Sequence, residues 1–133
     1  YSTQGEVRIF SLKENRILFS HDFGKPLYAM PKRVNDYLVL PFANGDVAAH
    51  SIQNDSLMWR YSQKSLLNLM PLVTGDQIII PFARGRVVAL DAQGNEQWQV
   101  DLKKSIQFAE FTTFGLLVGH GRELYMIGNG NEH

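Results

Sequence analysis

PFARGRVVALDAQGNEQW, Pro81 to Trp98, restates PFANGDVAAHSIQNDSLMW, Pro41 to Trp59, forty residues further on. Each copy runs from an apolar stretch through a glycine turn into an alternating stretch, then through a second polar turn to a tryptophan. Extending the comparison both ways finds the landmark glycine in GEVRIFSL at Gly5, GDVAAHSI at Gly45, GRVVALDA at Gly85 and GRELYMIG at Gly121. The spacings are 40, 40 and 36 residues. A period of about 20–50 residues marks a repeat architecture, in which each unit buries its apolar face against the next. A large aromatic follows the first three glycines by 13 or 14 residues, as Phe19, Trp59 and Trp98. The fourth would fall just past His133, after the turn GNGNEH.

Inside a unit the periodicity is two. Runs such as Tyr37–Pro41, Ile78–Pro81 and Val87–Leu90 are short, rich in β-branched residues and bounded by turn signals, among them Asn44-Gly45, Arg84-Gly85, Asn35-Asp36 and Gly94-Asn95. The nearest approach to a helix, LLNLMPL at Leu66–Leu72, is broken by Pro71. The pattern predicts four strands per unit, in the third unit at roughly 66–73, 76–83, 85–92 and 95–101. Four antiparallel strands repeated every forty residues make an all-β chain of propeller blades. The chain is expected to be a single propeller segment over 1–133, with a partial blade at 1–25, blades at 26–64 and 65–104, and a partial blade at 105–133. That is about three and a quarter blades, whereas closed rings hold about four to eight. The remaining blades must come from the same longer chain or from a second copy. A start and an end inside a blade favour the longer chain.

Composition narrows the function. Thirteen basic residues balance thirteen acidic ones, so no long-range field gathers nucleic acid or anionic lipid. The absence of cysteine removes disulfides and thiolate metal sites. The longest apolar runs, YLVLPFA and QIIIPFA, are far shorter than the roughly 20 residues of a membrane-spanning helix.

The residues for chemistry are scattered. His21, His50, His120 and His133 lack the spacing that puts two imidazoles on one helix face, so no metal site is expected. Asp22, Asp36, Asp46, Asp55, Asp76 and Asp91 fall mostly in turns, where carboxylates bond local backbone. GNGNEH lacks the strand-to-helix setting of a phosphate loop, and there is no GxSxG elbow. The reading is a protein without catalytic residues or cofactor.

Two units place a small residue and a tryptophan at fixed separation across a hairpin, Ala49 with Trp59 and Ala89 with Trp98. An indole on the outermost strand can lie against the neighbouring blade where the alanine leaves room, removing about 150–250 Å² from water. Phe19 takes that place in the first unit. GRVVALDAQGNEQW thereby resembles the tryptophan-docking repeat of pyrroloquinoline-quinone-type β-propellers. The second copy is weaker, with Ser51 in the Asp place and Asp55 in the Gly place; the first has Ile9 for Ala, Asn15 for Gly and Phe19 for Trp. The resemblance covers nearly the whole chain. It implies a protein partner within a larger assembly and a bacterial envelope setting, periplasmic or outer-membrane associated, as in the family's scaffold members of outer-membrane β-barrel assembly. The family's enzymes imply calcium and often adjacent cysteines, which this chain lacks. A fragment of a quinone- or calcium-dependent dehydrogenase and a carbohydrate-binding propeller are the alternative readings.

The repeat also points to candidate binding positions. Residues just before the landmark glycine, Gln4, Asn44, Arg84 and His120, are expected at equivalent turns, with Glu6, Asp46, Arg86 and Arg122 just after. Arg84, Arg86, His120 and Arg122 form a positive sector suited to an acidic or carbonyl-rich partner.

Overall fold

The computed structural model describes residues 4–75, 77–113 and 115–128, and groups the chain into two compact units, Tyr1–Ser65 and Leu66–His133. In the first unit, β1 (Glu6–Ser11) pairs with β2 (Arg16–Asp22). A four-stranded antiparallel sheet follows, β3 (Lys32–Val34), β4 (Tyr37–Pro41), β5 (Val47–Ser51) and β6 (Ser56–Tyr61), each beside the next. The second unit repeats that sheet with β7 (Leu72–Thr74), β8 (Gln77–Pro81), β9 (Arg86–Leu90) and β10 (Glu96–Asp101). It closes with the three-stranded sheet β11 (Phe108–Thr112), β12 (Gly115–His120) and β13 (Glu123–Ile127). Among the described residues no helix is long and apolar enough to cross a membrane.

The first strand of the third blade is shorter than the sequence pattern predicts. The run expected over 66–73 splits into an isolated bridge between Leu67 and Phe82 and the three residues of β7. Met70-Pro71 lies between them, and proline has no N–H to donate to a ladder. The second blade does the same, with Leu27 bridging Phe42 before β3 and Met30-Pro31 in the gap.

Strands β4, β5, β8 and β9 are buried on both faces, which is why their sequences are almost continuously apolar. In the first unit Leu38, Leu40 and Ala48 join Val7 and Phe19 in one core. In the second, Ile79, Val87 and Ala89 share a core with Ile106, Leu116 and Val118. The alternate set Ile78, Ile80, Val88 and Leu90 is also buried.

Two turn devices recur for physical reasons. At the β1–β2, β5–β6 and β9–β10 hairpins a side-chain oxygen caps the turn. Ser11 Oγ accepts the Glu14 N–H at 3.0 Å, Ser51 Oγ accepts that of Asn54 at 3.1 Å, and Asp91 Oδ1 accepts those of Gln93 and Asn95 at 2.9 Å. Each hairpin then needs a residue in the left-handed region, supplied by Asn15 (φ 52°), Asp55 (φ 50°) and Gly94 (φ 83°). The backbone bonds that end on Asp91, the Asn95 N–H foremost, hold its carboxyl below the ordinary range.

The landmark glycines serve a second purpose. Gly5, Gly45 and Gly85 have φ of 102°, 96° and 89°. The Gly5 carbonyl accepts the Phe23 N–H, and that of Gly85 accepts the Leu102 N–H, both at 2.9 Å. A Cβ on Gly5 would stand 2.2 Å from the Lys25 carbonyl oxygen, and one on Gly85 the same distance from that of Lys104. Glycine is required there because the chain leaving the outermost strand crosses directly over its backbone. Gly121 differs. It opens a tight hairpin directly between His120 and Glu123, with φ 57° and open space where a Cβ would stand.

Candidate functional site

The residues singled out at the turns occupy corresponding ends of their sheets, but their surroundings differ. In the first unit Gln4 is exposed and Glu6 pairs with Arg8 at 2.6 Å. Asn44 closes its own turn: its Oδ1 accepts the Asp46 N–H at 3.0 Å, and its Nδ2 donates to Asp46 Oδ2 at 3.3 Å. Lys25 Nζ lies 3.4 Å from the same carboxylate oxygen and 4.3 Å from the centre of the Phe42 ring. Desolvation draws the Asp46 carboxyl upward, yet the bonds from Ser62, Lys25 and Asn44 and the charge of Lys25 outweigh it and hold the group below its ordinary value. A carboxyl lowered on folding stabilises the native state above its unfolded value of about 3.9 and ceases to do so as pH falls through the folded value. The melting midpoint is therefore expected to fall as pH is lowered below about 4, and Asp46→Asn is expected to flatten that slope. Thermal unfolding of both chains across the acid range checks this.

In the second unit the cations divide into exposed and engaged. Arg84 and Arg122 are exposed. Arg86 stands half-buried with Nη2 3.8 Å from Asp101 Oδ2. His120, expected as a turn residue, is the last residue of β12; its Nδ1 donates to the Ser105 carbonyl at 2.5 Å. Lys104 ties this end together. Its carbonyl lies over Gly85 and its Nζ donates to Glu123 Oε1 at 2.7 Å. That bond raises the Lys104 pKa and lowers that of Glu123, which also accepts the Tyr125 hydroxyl.

Arg84 also has a left-handed backbone. Its φ is 66°, a left-handed value it shares with Lys64 (57°) and Lys103 (60°), and it sits at the apex of the short 3₁₀ turn Ala83–Gly85.

The aromatics expected to dock blades lie on the outermost strands, opposite their small partners. Ala49 pairs with Trp59 and Ala89 with Trp98 across their ladders, and Ile9 pairs with Phe19. Phe19 is buried in the core that contains Leu38, Leu40 and Ala48 of the second blade. Trp98 packs on the core that contains Leu116 and Val118 of β12, and its edge lines an open cleft of about 340 Å³ with Phe111, Thr112 and Gly115. Trp59 is half-buried.

One constellation escaped the sequence reading. His21 on β2 and His50 on β5 lie 29 positions apart, yet their rings approach to 4.7 Å between centres. Asp55, expected to bond local backbone, instead turns its carboxylate to both: Oδ1 accepts His50 Nε2–H at 2.7 Å and His21 Nδ1–H at 2.8 Å. The His50 bond first, then that from His21, holds the Asp55 carboxyl below its ordinary value. Phe23 flanks the pair, 4.3 Å from the His21 ring and 4.9 Å edge-on to His50, with Phe19 at 5.8 Å from His50. Among the described residues His50 stands alone as a buried polar or charged residue. The signal that finds this group is a comparison of copies: His50 occupies the place of buried Leu90, and Asp55 that of Gly94. His133 and Asp76 lie outside the described residues.

Four-stranded antiparallel sheets, repeated with the same turns and the same outermost aromatic, define blades of a β-propeller. The chain belongs to the family of the outer membrane protein assembly factor BamB, whose model matches residues 1–129. Among solved structures it is similar to BamB from Moraxella catarrhalis, with a TM-score of 0.71 at 14% identity over 88% of this chain and 41% of that one. It is also similar to the computationally designed Ika4 protein, with a TM-score of 0.76 at 14% identity over 96% of this chain and 82% of that one. Quinohemoprotein alcohol dehydrogenase from Comamonas testosteroni matches with a TM-score of 0.60 at 16% identity over 73% of this chain and 17% of that one. The chain thus spans about two fifths of the BamB structure it matches. No curated protein sequence matches it.

Proposed function

We propose that this chain is part of a non-catalytic propeller scaffold that holds a protein partner within a larger assembly of the bacterial envelope. Membership of the BamB family supports the scaffold role and the compartment. The observation that carries the binding site is Arg84: an exposed arginine, held at the tip of a turn in a backbone conformation that costs of order 1 kcal/mol or more. Its exposure at the tip of the turn presents the guanidinium to a partner. The backbone beneath it is closely packed, since the Lys104 carbonyl lies directly over Gly85. Arg122 stands exposed at the corresponding turn of the next sheet. Two exposed guanidiniums at these turns suit a partner segment that offers carboxylates or backbone carbonyls, which arginine grips in a planar, two-pronged geometry.

The experiment is site-specific photo-crosslinking in cells. A photoreactive residue at position 84 or 122 is expected to give discrete protein adducts. The same residue at Gln93 or Thr113, exposed at the opposite ends of the same two sheets, is expected to give none. Adducts confined to 93 and 113 would place the partner at the other end and overturn the assignment.

A further inference from the structure

We infer that His21, His50 and Asp55 form a binding site for a single divalent ion of the zinc class, which clips β2 of the first blade to the second blade. Three donor atoms, two imidazole nitrogens and a carboxylate oxygen, lie within 4.8 Å of one another. Tetrahedral zinc holds nitrogen and oxygen at about 2.0–2.2 Å, which sets donor atoms about 3.4 Å apart. The nitrogen–oxygen separations of 2.8 and 2.7 Å have to open by about 0.6 Å, and the two ring nitrogens, within 4.8 Å of each other, have to settle at the same spacing. Asp55 is the member able to yield, since its side chain is 52% exposed while that of His50 is 6% exposed. Each of these ring nitrogens carries a proton and donates a hydrogen bond to Asp55. In the metal form a neutral imidazole carries that proton on its other nitrogen, so a change of tautomer frees both donor lone pairs.

Three departures from the repeat converge on this point. In the third blade the corresponding positions are Leu90, Gly94 and Val100, an apolar core residue, a turn glycine and an outer-strand aliphatic. Placing a histidine in the core forgoes apolar burial. Phe19 and Phe23 wall the site with apolar surface, which lowers the local dielectric and strengthens binding of a charged ion. Two imidazoles and one carboxylate favour zinc, nickel or copper over calcium and magnesium, which take mostly oxygen ligands.

The test uses the full chain, stripped of metal by chelation and titrated with Zn²⁺ at neutral pH. One equivalent is expected to bind, with the melting midpoint raised by about 4 °C or more when free zinc is tenfold above its dissociation constant. The His21 and His50 ring resonances are expected to shift together while those of His120 stay in place. His50→Leu and Asp55→Gly install the residues of the third blade, so the double variant is expected to fold and to lose the zinc response. Absence of stoichiometric binding would overturn the assignment. So would a zinc response retained by the folded double variant, or an equal response to Ca²⁺ or Mg²⁺.

Discussion

Gly85→Ala is expected to destabilise the second unit by about 3 kcal/mol or more and to lower its melting midpoint by more than about 10 °C. Two penalties act together. The new methyl would stand 2.2 Å from the Lys104 carbonyl oxygen and 2.7 Å from the Lys104 nitrogen, contacts with backbone that no side-chain rotation relieves. The residue would also be held at φ 89°, where an alanine is strained even in open space. Relief requires the 102–104 connection to lift, which breaks the bond from the Leu102 N–H to the Gly85 carbonyl. Gly121→Ala separates the two penalties. Its φ of 57° strains alanine, but nothing lies within 4 Å of the added carbon, so a loss of only about 1 kcal/mol is expected. Equal losses in the two variants would show that the close approach to Lys104 contributes nothing. Calorimetry of both chains measures the difference.

Phe82→Ala is expected to cost about 3–5 kcal/mol. The ring is fully buried, and its backbone bridges Leu67 and donates to the Arg86 carbonyl at 2.7 Å. Removing it leaves a void at the point where the chain enters the blade and where the Ala83–Gly85 turn begins. Phe82→Leu retains most of the apolar volume and is expected to lose less than half as much. Urea unfolding of the two variants ranks them. A loss below about 1 kcal/mol for Phe82→Ala would mean that the ring is not part of a packed core.

The repeat made most of the fold legible. Period-two runs and paired turn signals located β4, β5, β8 and β9, because strands buried on both faces have little freedom in composition. The separation of Ala89 and Trp98 anticipated that they would be ladder partners. The first strand expected over 66–73 is shorter in the structure, because apolar residues around Pro71 look strand-like while the proline interrupts the ladder. His120 differs from the other residues that precede a landmark glycine. Aligning Gly121 with the other landmark glycines assumes the same turn, yet β12 continues to His120 and the hairpin is tighter.

The candidate sites were less legible. Arg84 was visible as a variable turn residue, but neither its left-handed backbone nor the Lys104 carbonyl beneath its neighbour can be read from spacing. The convergence of His21 and His50 depends on the packing of β2 on the second blade, and spacing rules for ligands on one helix do not reach across two sheets. Asp55 was grouped with the turn carboxylates because its hairpin position is shared with Asn15 and Gly94. Its carboxylate had a more distant destination.

The most direct test of the scaffold reading is the affinity for the protein crosslinked from positions 84 and 122, measured for the parent chain and for Arg84→Glu combined with Arg122→Glu. These exposed residues have no place in either core, so the melting midpoint is expected to hold. Reversing two charges that face an acidic partner is expected to weaken binding by about a hundredfold or more. Parent-like affinity in the folded double variant would contradict the proposal that this end of the blades holds the partner.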